Sequence, residues 1–258
     1  MLGSAYRLEG GERKNVKTNS YNYDNYGAFK ESAAQPPRSR IEHIARALGL
    51  KNRYLRFLKT AARDKPVLEI GCGNGQFIQE MLNEGFTTVT GVEPSSSYQF
   101  LVDPGLIIKE FASDYLENCT ASSIGTIVAL DVFEHIPIPE LRVLLRLIHD
   151  RLIPGGIVMF RVPNMASPTA MPLYFGDLSH VTALSEVSIK QFIFDSGFTL
   201  CGVHAEPFAY PRSLATLVGV LAWPLYKGLM HAVLAAFGIR SKILTPNLVC
   251  ILRKSENS

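Results

Sequence analysis

The chain has 258 residues and a mass of 28.5 kDa, enough for one large domain, or one domain with an insertion, around a sizeable core. With 47% apolar and 19% charged residues its composition excludes a disordered, collagenous or coiled-coil protein, and a net charge of +3 is far below that of a dedicated nucleic-acid binder. Cys72, Cys119, Cys201 and Cys250 are scattered and form no CxxC pair, which excludes a cysteine zinc site or a disulfide framework and fits a reducing, cytoplasmic setting.

Residues 1–40 are polar, rich in Gly, Asn and Ser, and without hydrophobic period, so a mobile arm is expected. No apolar run follows its charges, so a secretory signal peptide is not expected. Tyr21, Tyr23, Tyr26 and Phe29 crowd together inside the arm, which predicts that part of it packs over something. Over 41–65 the apolar residues Ile41, Ile44, Ala45, Leu48, Tyr54, Leu55 and Leu58 recur at three-to-four spacing and predict two short helices.

From 66 to 258 short apolar runs alternate with amphipathic stretches, the pattern of an α/β protein with a parallel sheet. Strands are predicted at 67–70, 88–92, 107–109, 126–130, 157–162, 199–205 and 247–252, and helices at 77–83, 96–101, 139–151 and 185–195. Pro139 in a first turn and Pro154-Gly155-Gly156 after Arg151 mark the start and stop of the third helix.

The run Val67-Leu68-Glu69-Ile70-Gly71-Cys72-Gly73-Asn74-Gly75 is a buried strand entering three alternating glycines and then a helix. Such a turn lets backbone approach a nucleotide at the carboxyl edge of a parallel sheet. A dinucleotide fingerprint starting at Gly71 needs glycine at position 76, where Gln76 stands, so a nicotinamide-dependent oxidoreductase is the weaker alternative. A non-catalytic cofactor-binding scaffold is the other.

The E-x-G-x-G-x-G pattern of Glu69 to Gly75 resembles the first motif of class I S-adenosylmethionine-dependent methyltransferases, and further motifs follow in order. Gly91-Val92-Glu93-Pro94-Ser95, Phe111-Ala112-Ser113-Asp114, Asp131-Val132-Phe133-Glu134-His135 and Leu152-Ile153-Pro154-Gly155-Gly156 are similar to the next four. The resemblance implies a Rossmann-like three-layer sandwich, with a seven-stranded, mostly parallel sheet and an antiparallel last strand. It also implies S-adenosylmethionine as cofactor, held by Glu69, Gly71, Cys72, Gly73, Gly75, Glu93, Pro94, Ser95, Asp114 and Asp131. In it Glu93 meets the ribose hydroxyls and Asp114 the adenine amino group.

The long stretch 161–186 leaves the sheet edge beside the cofactor turn, where an acceptor must approach. Its Val162-Pro163-Asn164 and Gly176-Asp177-Leu178-Ser179-His180 segments resemble a methyltransferase subgroup associated with surface-polysaccharide and glycolipid biosynthesis, which implies a small-molecule or glycolipid acceptor. A hydroxyl must lose its proton to accept a methyl group, so His180 held by Asp177 is the expected base and His135 the second candidate. A divalent metal on Asp131, Asp177, His135 or Asn164 would serve the same end, but no spacing fixes such a site.

An insertion at 207–244 precedes the last strand, and within it 213–238 carries Lys227 as its only full charge. Pro224 and Gly228 predict two helical pieces too short to span a bilayer, forming a hairpin over the acceptor site, at a dimer contact or at a membrane surface.

Overall fold

The computed structural model describes residues 23–33, 53–207 and 214–256. Seven strands form one sheet: β1 (Val67–Ile70), β2 (Val89–Val92), β3 (Ile107–Ile108), β4 (Ile124–Leu130), β5 (Leu152–Pro163), β6 (Phe198–Ala205) and β7 (Asn247–Lys254). Their order is β3-β2-β1-β4-β5-β7-β6, with β1 to β5 parallel and β7 antiparallel to both neighbours. This is the Rossmann-like arrangement with a reversed last strand. All seven predicted strands are present, and the reversal of β7 separates the fold from a sheet continuing in parallel.

The central strands are buried on both faces, as continuous apolar runs such as Ile124 to Leu130 require. On one face α3 (Ala112–Asn118), α4 (Ile138–Arg151) and α6 (Glu186–Ile193) bury Leu116, Leu141, Leu145, Ile148 and Ile189 against Ile127, Val158 and Leu248. On the other, α2 (Gln76–Asn83) and a short 3-10 turn at Leu55–Leu58 bury Phe77, Ile78, Met81 and Tyr54 against Val128 and Met159. The α6 start is a capping box, in which Ser185 and Ser188 satisfy each other's backbone N–H groups.

Four differences from the sequence reading have physical causes. Residues 96–101 form no helix: Ser95 Oγ takes the Ser97 N–H, and the Leu101 N–H goes to the Asn74 carbonyl at 2.8 Å, so serine-turn and loop bonds replace a helical ladder. Of the two helices predicted within 41–65, residues 41–52 lie outside the described residues, and the remainder contains the 3-10 turn. Tyr23–Ala33, inside the arm that has no hydrophobic period, forms helix α1. A short helix, α5 (Met171–Phe175), interrupts the long stretch after β5.

The insertion also departs from expectation. Instead of two pieces, one 23-residue helix, α7 (Leu214–Ala236), runs through Pro224. It ends where Gly238 adopts φ +71° and the Ile239 N–H reaches back to the Leu234 carbonyl. Val218, Leu221, Leu225 and Leu229 point outward on one face, 55%, 71%, 79% and 62% exposed, while Trp223, Tyr226, Met230, His231 and Leu234 occupy the half-buried opposite face. By length and composition Leu217–Ala236 is apolar enough to cross a membrane, and none of it is buried in the domain.

The core and α7 should therefore respond differently to truncation. Ile127→Ala, at a fully covered position in β4, should cost about 2–5 kcal/mol in denaturant unfolding, whereas Leu225→Ala on α7 should stay within about 0.5 kcal/mol. An equal loss at both positions would mean that α7 packs on the domain.

Candidate active site

The carboxyl edge of β1 carries Gly71, Gly73 and Gly75 at φ +67°, +52° and +81°, a left-handed run that a chain with side chains adopts only under strain. A Cβ on Gly71 would strike Val132 Cγ2 at 2.5 Å and one on Gly75 Val102 Cγ2 at 2.7 Å. One on Gly73 would meet only the Tyr98 ring, at 3.7 Å, across a cavity. That cavity holds about 300 Å³ and is walled by Glu69, Gly71, Gly73, Asn74, Tyr98 and Lys30.

Glu93 stands at the end of β2, with the Gly73 N–H donating to one carboxylate oxygen and the Ser95 N–H to the other, both at 3.0 Å. Burial raises its pKa, and the two backbone bonds oppose that rise. Glu69 is buried, and burial followed by the nearby Glu93 charge holds its carboxyl well above the usual range. The Ile78 N–H lies against this carboxylate, yet its Oε2 has no partner. Burial likewise pushes up the Cys72 thiol, which lines the same cavity.

The structure thus brings Glu69, Gly71, Cys72 and Gly73 to the cavity wall, with Glu93, Pro94 and Ser95 in the adjoining turn and Gly75 opening α2. It does not bring in Asp114, which sits in the first turn of α3 beside Ser113 and outside the lining. Asp131, also outside it, is held by a two-pronged bond from Arg161. Arg161 in turn reaches Tyr54 and Glu206, and Glu206 accepts from Asn247 at 2.7 Å.

Beyond Asp131 the chain turns through Phe133–His135 and presents Glu134 and His135 to the segment after α5. His135 and His180 face each other with ring centroids 4.6 Å apart. The Asp177 carboxylate does not orient the His180 ring: Oδ2 lies 4.0 Å from Nε2, and His180 Nδ1 instead donates to the Tyr174 carbonyl at 2.8 Å. Asp177 accepts from the Tyr26 hydroxyl at 2.9 Å, Lys30 Nζ at 3.0 Å, and the backbone and hydroxyl of Ser179. Burial alone would raise its pKa, but the bonds from Ser179, Lys30 and Tyr26 outweigh burial and hold the carboxyl far below its ordinary value.

Helix α1 therefore lies over the site. Tyr26 meets the His135 ring edge-on at 5.5 Å, and Gly27 packs so closely that a Cβ there would lie 2.1 Å from Ser95 Oγ. Burial, then the neighbouring His180, lowers the His135 pKa to about 4. Tyr26, Lys30, Tyr98, Ser179 and Arg161 are site residues that sequence reasoning missed, and the aromatic crowding around residue 26 was the one signal pointing toward them.

A family model described as a methyltransferase domain matches residues 41–201. No curated protein matches the chain. Among solved structures, an S-adenosylmethionine-dependent methyltransferase from Archaeoglobus fulgidus is similar over 90% of this chain and 100% of its own, at 20% identity and a TM-score of 0.60. One from Mesorhizobium loti covers 80% and 98%, at 16% identity and a TM-score of 0.56. The magnesium protoporphyrin IX methyltransferase of Synechocystis, solved with bound S-adenosylmethionine, covers 90% and 91%, at 10% identity and a TM-score of 0.53. At these identities the likeness concerns the fold.

The Asp177 latch on α1 has a testable pH dependence. Because the folded carboxyl is depressed, its contribution is fully present above the ordinary aspartate pKa and is lost only as pH falls through the lower folded value. Hydrogen-exchange protection of residues 23–33, corrected for intrinsic rates, should be flat between pH 5 and 8, where neutral His135 adds no charge. Asp177→Asn should raise local opening about 5–30-fold, a modest effect because Lys30 is half exposed.

Proposed function

The chain belongs to the methyltransferase-domain family and uses S-adenosylmethionine as its methyl donor; from that premise we propose that the acceptor is a hydroxyl of a sugar or other small molecule, carried on a lipid. The observation that carries this reading is that a cofactor cavity and a pair of facing imidazoles share one sheet edge under the same helix. The cavity suits the cofactor chemically. Glu69 offers an unpartnered carboxyl oxygen to an ammonium group, and Gly73 leaves backbone open to a nucleoside. Glu93 keeps lone pairs for ribose hydroxyls after accepting its two backbone bonds.

The sulfonium supplies an already activated methyl group, so the protein chiefly aligns the acceptor oxygen and loosens its proton. That proton is drawn off at the His135–His180 pair, where His180 is fixed by the Tyr174 carbonyl and Asp177 anchors the helix that closes the site. Asp114, on the first turn of α3, remains our assignment for the adenine side.

A lipid-linked acceptor gives α7 a use. We read it as a helix lying in the plane of a bilayer surface on the cytoplasmic side, with the row Val218, Leu221, Leu225 and Leu229 inward. Trp223, Tyr226 and Lys227 lie at headgroup level, and Arg240 and Lys242 follow near phosphates. A crossing is disfavoured by reach. β6 and β7 are neighbours, so both ends of the insertion return to one sheet edge. A segment of about ten residues joining one end of α7 to the sheet, such as 237–246, would have to recross a ~30 Å core.

Two measurements test these readings. Calorimetry should show binding of S-adenosylhomocysteine and none of NAD, and folded Glu93→Ala should bind the former about 10–150-fold more weakly. Retained affinity would remove Glu93 from the ribose site. Co-sedimentation with vesicles should increase with anionic lipid, fall with salt, and be lost in Leu221→Glu/Leu225→Glu; indifference to vesicles of every composition would make α7 a protein-facing surface.

A further inference from the structure

We propose that Glu134, His135 and His180 form a binding site for a divalent transition-metal ion of the zinc type. The bonding pattern leads there directly. Ser179 Oγ gives its hydrogen to Asp177, so at the 2.8 Å contact between Ser179 Oγ and His135 Nδ1 the imidazole must be the donor. The Tyr174 carbonyl can only accept, so His180 Nδ1 carries the hydrogen there too. Both rings are thus fixed as the tautomer whose Nε2 holds a bare lone pair.

The third member is Glu134. It is 1% exposed, and neither of its carboxylate oxygens accepts a hydrogen bond from another residue. One ligand atom from each of Glu134, His135 and His180 can be chosen so that all lie within 4.8 Å of one another. Two imidazoles and a carboxylate whose oxygens take no bond from another residue are thus gathered in one place, an arrangement that buried polar groups otherwise avoid.

A cation at the centre resolves this, and the donor set selects its kind. Two imidazoles and one carboxylate are the ligand set of catalytic zinc, with a fourth position left for an oxygen ligand, whereas a hard ion such as magnesium prefers oxygen throughout. The surroundings have the form that metal sites require, since each histidine's second nitrogen is tied down, one to a carbonyl and one to a serine backed by a carboxylate.

This inference deepens the proposed function and rests on it only for the use of the ion, which would take over from the two imidazoles the task of loosening the acceptor's proton. An acceptor hydroxyl taking the open position would form an oxygen–metal bond and release its proton to water. The oxygen would then attack the methyl carbon as the carbon–sulfur bond breaks and its electron pair passes to sulfur.

The test is metal binding by the untagged full chain, stripped with chelator and titrated without cofactor or acceptor. One equivalent of Zn²⁺ should bind and resist competition by excess Mg²⁺, and Co²⁺ in its place should give the visible absorption of a four- or five-coordinate site. Glu134→Gln should weaken Zn²⁺ at least 10-fold, and His135→Ala/His180→Ala should abolish site binding. Ser179→Ala, outside the ligand set, should weaken it about 10–100-fold and serves where a ligand variant fails to fold. Zn²⁺ binding no tighter in the wild type than in the double-histidine variant would overturn the inference. Affinity for S-adenosylhomocysteine, measured on the same preparation, keeps the two readings separate. Its loss with zinc retained removes the cofactor assignment alone, and zinc failing with S-adenosylhomocysteine bound removes the metal alone.

Discussion

The fork of Arg161 on Asp131 is the contact on which the arrangement of this edge depends. Asp131 follows the last residue of β4 at φ +58°, a left-handed conformation that a non-glycine residue holds only when its surroundings insist. Arg161, on the neighbouring strand in register with Leu130, grips both carboxylate oxygens and is itself fixed by Tyr54 and Glu206. One side chain thus joins β4, β5, the segment after β6 and the 3-10 turn ahead of β1. The reversal at Asp131 then aims Val132 into the space beside Gly71 and swings Glu134 and His135 toward the acceptor side. The guanidinium is mostly covered and its bonds are divided among three partners on separate elements, which gives the cluster its rigidity.

Three buried carboxylates mark a gradient across the site. Glu93 is met by two backbone N–H groups, Glu69 has one oxygen unpartnered beside the cavity, and Glu134 has both unpartnered. Read as a series, they pass from a group serving the fold, through one serving fold and ligand together, to one whose burial the polypeptide alone does not explain. The position of Asp177 follows the same economy: its charge is spent on Tyr26, Lys30 and Ser179, and only indirectly, through Ser179, does it set the state of His135.

The sheet was legible in the sequence because each strand is a short apolar run and each crossover helix has an amphipathic period, signals that survive without knowledge of partners. The glycine turn and Glu93 were legible for a related reason, since their roles are local to a strand end. What escaped depends on distant pairing. Nothing near Tyr26 or Lys30 announces Asp177, and Arg161 reads as one more charge in a strand. Pro224 suggested a break in α7 because proline removes one helical hydrogen bond, yet a helix this apolar and long continues past it. The Asp177-His180 spacing implied a dyad, but the turn between them sends the carboxylate toward α1 and the imidazole toward the Tyr174 carbonyl.

The position of α1 along the chain has a consequence in time. Tyr26 precedes its partner Asp177 by 151 residues, and the other surfaces that α1 covers, at Ser95 and His135, also lie far downstream. At a ribosomal pace of 5–20 residues per second, roughly 8–30 s separate the synthesis of the helix from the appearance of its anchor. During that interval α1 lacks its anchor, and its mixed, polar-rich sequence lets it wait in water without seeking other apolar surfaces. The first described segment to leave the ribosome is thus among the last to find its place, and it closes over an edge that the rest of the chain has already assembled.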